Sequence, residues 1–102
     1  MRARELVAWL DGRHPAPPRG LRERLDRVVD ETPEPLPEHL ARLGRELLTT
    51  VASHPEGGRE LALDLLAADA FVTYAFEAQA EADVRALARL ARTARDGALH
   101  NR

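Results

Sequence analysis

From Glu60 to Ala82 the chain reads ELALDLLAADAFVTYAFEAQAEA, without a glycine or a proline. At roughly 100° per residue, Leu61, Leu65, Ala68, Val72, Ala75 and Phe76 fall on one face of a helix. Leu63, Ala67, Phe71 and Tyr74 fall on another. A helix apolar on two sides belongs at the centre of a core, and its alanines (Ala67, Ala68, Ala70, Ala75, Ala78) let neighbouring backbones approach closely. The expectation is an all-α fold: a small bundle of four to five antiparallel helices around a central, largely buried helix at about 60–82.

Working outward, proline and glycine mark the neighbouring elements. A first helix is expected from Arg2 to Asp11, with Leu6, Trp9 and Leu10 as its apolar stripe and Gly12 after it. His14-Pro15-Ala16-Pro17-Pro18 cannot continue a helix. A second helix reads Arg19 to Asp30, with Leu21, Leu25, Val28 and Val29 inward. Thr32-Pro33-Glu34-Pro35-Leu36-Pro37 is an extended connector, because a residue before proline is pushed out of the α region. Pro37 opens a third helix to about Ala52, with Leu40, Leu43, Leu47, Leu48 and Val51 inward and Glu38, Arg42 and Glu46 outside. His39, in its first turn, is expected in solvent. Gly57-Gly58 forms a turn, and the fourth helix is established by Arg59.

Asp83 can cap a fifth helix running to about Arg95, with Val84, Leu87, Leu90, Ala91 and Ala94 inward. No breaker separates the fourth and fifth helices, so a single long helix that favours a dimer is the alternative. Residues 96–102 read as a frayed tail. All 102 residues then form one helical domain, with helices at about 2–11, 19–30, 37–52, 59–82 and 83–95.

Composition excludes several functions. There is no cysteine, hence no disulfide, thiolate metal site or cysteine nucleophile. No apolar run approaches the ~20 residues of a membrane span, and no signal peptide is evident, so the cytoplasm is the expected location. Every basic residue is Arg, which points to codon usage in a high-GC bacterial or phage genome rather than to phosphate chemistry. Charge is segregated: residues 60–83 carry six acids and no Arg, whereas residues 84–102 carry five Arg and one acid. Such compensation argues against an uncompensated basic face for nucleic acid.

Candidate sites are few. Asp69, Thr73, Glu77 and Glu81 recur every four residues and resemble one quarter of a carboxylate metal site in a helical bundle. Such sites need Glu-x-x-His pairs on facing helices, and this chain has none. Asp69 and Glu77 are therefore the weak metal candidates, and pairing with Arg or contact with water is the simpler expectation. Asp69, inside an apolar run, calls for an Arg partner if it is buried. His14, His39, His54 and His100 lack zinc-like spacing, and neither metal nor cofactor is expected. Arg95-Asp96-Gly97-Ala98-Leu99-His100 resembles the Arg-x4–6-His spacing of helical HEPN ribonucleases over six residues. Gly97 would interrupt the helix that motif needs, so the resemblance is not adopted.

No catalytic motif has supporting context, so the chain is expected to be a non-enzymatic protein–protein interaction module. It would be an accessory, adaptor or small regulatory subunit that self-associates as a homodimer or docks into a larger assembly. Arg85, Arg89, Arg92 and Arg95 are the candidate interaction surface, gripping an acidic protein patch such as the central helix of a second subunit. One alternative is a metal or small ligand held by carboxylates of the central helix, beside Tyr74. A second is nucleic acid on the Arg face, ranked lower.

Overall fold

Proline sets where two of the helices begin. A computed structural model describes the backbone of residues 1–100 and the side chains of residues 1–98. The helices are α1 (Ala3–Asp11), α2 (Arg19–Val28), α3 (Leu36–Ala52) and α4 (Arg59–His100). Pro18 and Pro35 hold extended backbone (ψ 150° and 159°) directly before α2 and α3. Their fixed φ admits the chain into a helix without needing an N–H there. Gly57 (φ +73°) and Gly58 (φ +117°) make the turn into α4, a left-handed backbone that only glycine adopts cheaply.

The first three helices fall within two residues of expectation. The last part of the chain does not. Helix α4 is a single uninterrupted element of 42 residues, about 63 Å long at 1.5 Å per residue. It replaces the expected pair at 59–82 and 83–95, so the described residues form four helices. Asp83 is no N-cap: it stays helical, and its Oδ1 accepts a hydrogen bond from Gln79 Nε2 at 2.9 Å. Between Arg59 and Asp96 every residue tolerates a helix, with Ala, Leu and Arg dominating. Gly97 does not break the helix, since one glycine costs only ~1 kcal/mol. Residues 96–100 are thus helical rather than frayed, and 101–102 lie outside the described residues.

Leu6 and Leu10 of α1, Leu25 of α2, and Leu40, Leu43 and Leu47 of α3 close on Ala67, Ala68, Phe71, Tyr74 and Ala78 of α4. α3 and α4 are antiparallel neighbours: Pro37 and Ala41 lie beside Val72 and Phe76, and Val51 lies beside Leu61. They come close at Gly44, where an added Cβ would stand 2.9 Å from Val72 Cγ2 and 3.1 Å from the Ala68 carbonyl oxygen.

The segment at 60–82 is buried on one side only. Leu65 and Leu66 are about half exposed and Phe76 is 74% exposed. Three short helices cover the side of α4 that carries Ala67, Ala68, Phe71 and Tyr74, and leave Leu65 and Phe76 open. His39 is also misplaced by the sequence reading: it is fully buried, with Nε2 2.8 Å from Asp30 Oδ1. Asp30, just beyond α2, also accepts from Arg42 Nη2 at 2.8 Å, so the pair ties α2 to the start of α3.

Candidate interaction surface

The acids of α4 are committed where they meet the bundle. Asp64, 9% exposed, accepts from Arg24 Nη1 at 2.6 Å, and Arg24 also reaches Glu60. Glu81 accepts from Arg13 Nη1 at 2.6 Å and from the Trp9 indole at 3.3 Å, and Glu77 takes a second bond from Arg13 at 3.2 Å. Bonded chiefly to the Arg13 guanidinium, the Glu81 carboxyl is held below the usual carboxylate range. Trp9 meets Tyr74 edge-on, ring centroids 5.8 Å apart. Burial first, and then the neighbouring Glu77, push the Tyr74 hydroxyl upward.

A carboxylate ligand site would need Asp69, Thr73, Tyr74 and Glu77 to converge on a cavity. They do not: Asp69 and Thr73 are exposed, Glu77 is bonded to Arg13, and Tyr74 is packed in the core. Among the described residues, no group of three or more His, Asp or Glu side chains could share a metal ion. The buried acid is Asp64, not Asp69. Its position was readable, since it lies between Ala68 and Phe71 around the helix, in the middle of the buried face.

Beyond Ala82, α4 leaves the bundle. Val84, Leu87 and Leu90, expected inward, are 64–65% exposed, because no other helix among the described residues reaches that far along α4. Ala80, Val84, Leu87, Ala91, Ala94 and Ala98 are spaced 4, 3, 4, 3 and 4 residues apart. That is the spacing of a coiled-coil seam, and it places them on one side of the arm. Around the helix, Phe76 lies on the same side. Arg85, Arg89 and Arg92 occupy the opposite side, with Arg95 at the border. All four arginines are exposed, and none makes an ion pair among the described residues.

The arm gives the molecule an extended shape. It measures 69 × 24 × 21 Å, with a radius of gyration of 17.8 Å, against about 13 Å for a compact chain of this length. Its surface is 7071 Å² for 11.3 kDa, where a compact monomer exposes roughly 5,700 Å². No helix among the described residues is long and apolar enough to cross a membrane.

No protein-family model, curated protein or solved structure matches the chain. The helix runs unbroken through Gly97, yet the HEPN-like spacing remains a six-residue resemblance on the arm, outside the packed body.

Proposed function

We propose that this chain is a non-enzymatic helical interaction module, an accessory or adaptor subunit that self-associates through the arm of α4. The observation that carries this is the exposure of Val84, Leu87 and Leu90 on a helix that has already left its own core. The arm leaves an apolar stripe facing water, and most helical stability in proteins comes from packing such a face. A second subunit supplies that packing. The surface beyond that of a compact monomer, about 1,300 Å² by the mass scaling, exceeds the ~800 Å² per partner of a standard stable interface.

Sedimentation equilibrium tests the proposal. The intact chain is expected to run as a homodimer, and Val84→Glu with Leu87→Glu as a monomer. Because both side chains are exposed in the single chain, the double variant should unfold at nearly the same denaturant concentration when both proteins are dilute. A monomeric native chain at high concentration would overturn the proposal.

The four exposed arginines favour a second reading, in which the arm holds a polyanion such as nucleic acid. Retention on a polyanion column would then fall steeply with salt and vanish when Arg85, Arg89 and Arg92 become Gln. Unchanged retention in that variant would count against it.

A further inference from the structure

We infer that two copies pair antiparallel along α4, with Val84 of one copy packed against Leu87 of the other. This rests on the self-association proposed above and adds the occupant of the seam, its direction and its register.

Three observations carry it. The first is the seam itself. With Val84 opposite Leu87, Ala80 meets Ala91, Glu77 lies beside Ala94 and Arg95, and Thr73 meets Ala98. The large apolar side chains sit near the dyad, and flanking alanines allow the two helices to approach closely.

The second is charge. Within the paired length, residues 73–83 carry Glu77, Glu81 and Asp83 and no Arg, whereas residues 88–98 carry Arg89, Arg92 and Arg95 with Asp96. Antiparallel pairing runs the net-acidic stretch of each copy beside the net-basic stretch of the other and sets Glu77 against Arg95 at the seam, while Arg89 and Arg92 face away from it. Parallel pairing sets each stretch at the level of its own copy and keeps Glu77 about 27 Å along the axis from Arg95. Complementary charge fixes direction and register even where it adds little affinity. Arg95 and Glu77 lie on the same flank of the apolar stripe, and Glu77 is 45% exposed despite its contact with Arg13.

The third is access. The last turns of a second copy would lie against residues 73–80, on the side of α4 that α1, α2 and α3 leave open. Phe76, Thr73 and Ala80 are all exposed there. Phe76, the most exposed large apolar side chain among the described residues, would then be covered. The surface available suffices, since the surplus over a compact monomer exceeds what one side of a stable interface buries.

The absence of cysteine makes a disulfide test clean. Ala80→Cys and Ala91→Cys proteins are prepared separately, then mixed, equilibrated and oxidised. The mixture is expected to form the 80–91 disulfide between chains. Neither variant alone should cross-link, because residues 80 and 80 of two antiparallel chains stand about 16 Å apart along the axis, far beyond the reach of a disulfide. Ala94→Cys alone should also remain uncross-linked. Ready self-cross-linking of Ala80→Cys and Ala94→Cys would overturn the antiparallel direction while leaving self-association intact. A dimer forming none of these bonds would place the interface elsewhere and overturn the seam. A monomer in sedimentation would remove the seam and the proposed function together.

Discussion

The guanidinium carbon of Arg13 lies 3.6 Å from the centroid of the Trp9 ring, and both side chains donate to Glu81. The contact joins the end of α1 to α4 at the last point before the arm leaves the body. Arg13 sits just after the α1 cap at Gly12, so a loop residue fastens two helices.

Arg13→Ala removes a cation–π contact and two ion pairs whose carboxylates are partly solvated. Unfolding free energy should fall by roughly 1–2 kcal/mol, read by urea titration of Trp9 emission, which is specific because Trp9 is the only tryptophan. Arg13→Lys should recover part of the loss. A change below about 0.5 kcal/mol would mean that the clamp contributes no more than an ordinary surface pair.

Gly44→Ala tests the close crossing of α3 and α4. Helix propensity alone favours Ala by ~1 kcal/mol. Here the new methyl would meet Val72 Cγ2 at 2.9 Å and the Ala68 carbonyl oxygen at 3.1 Å, and that backbone atom cannot rotate away. Overpacking should prevail, giving a net loss of about 1–3 kcal/mol. Gly20→Ala, with nothing within 4 Å of the added carbon, is the control and should be neutral or slightly stabilising. A Gly44→Ala protein more stable than the parent would show that the two helices separate easily.

The two phenylalanines should behave oppositely. Phe71 is fully buried and Phe76 is 74% exposed. Phe71→Ala should cost about 3–5 kcal/mol in chemical denaturation. Phe76→Ala should cost under ~0.5 kcal/mol in dilute protein and should weaken self-association measured by sedimentation. A loss below ~1 kcal/mol at Phe71 would contradict its place in the core.

Acid should destabilise the fold. Asp30 and Glu34 are both held below the usual carboxylate range chiefly by hydrogen bonds from Arg42, and Glu81 by one from Arg13. A carboxylate whose folded value is depressed stabilises the folded state above its unfolded value, near pH 4, and that contribution is lost as pH falls through the folded value. The melting temperature should therefore be level near neutrality and decline below about pH 4. Arg42→Gln should flatten that decline, and a melting temperature that rose on acidification would refute the assignment.

Much of this architecture was legible in the sequence for local reasons. Gly12, the His14–Pro18 run, the proline connector ending at Pro37 and Gly57-Gly58 constrain the backbone wherever they occur, so the expected bounds of α1, α2 and α3 lie within two residues of those observed. The long α4 was legible as well, in the absence of any breaker between Arg59 and Asp96, although Asp83 suggested a boundary. A capping residue ends nothing unless the backbone also leaves the helix, and nothing here forces it to. Pairing of Glu77 with an arginine was expected, but which arginines clamp α4 was not legible, because the Arg13 and Arg24 contacts join residues 36 to 68 positions apart. Periodicity carries no information across such distances.

Taken alone, the sequence determined that the chain is helical, where its turns fall, and that α4 has more apolar surface than a surface helix needs. Those properties follow from dihedral limits and from the 3.6-residue repeat. Only the tertiary structure decided which apolar face is used. Leu65 and Phe76 on one side of α4, and Phe71 and Ala67 on the other, have the same periodic claim to a core. Three short helices can cover one side, and the Gly44 contact and the Arg24–Asp64 pair seat them on Ala67, Ala68 and Phe71. The other side, and the arm beyond Ala82, stay open because no further helix among the described residues covers them.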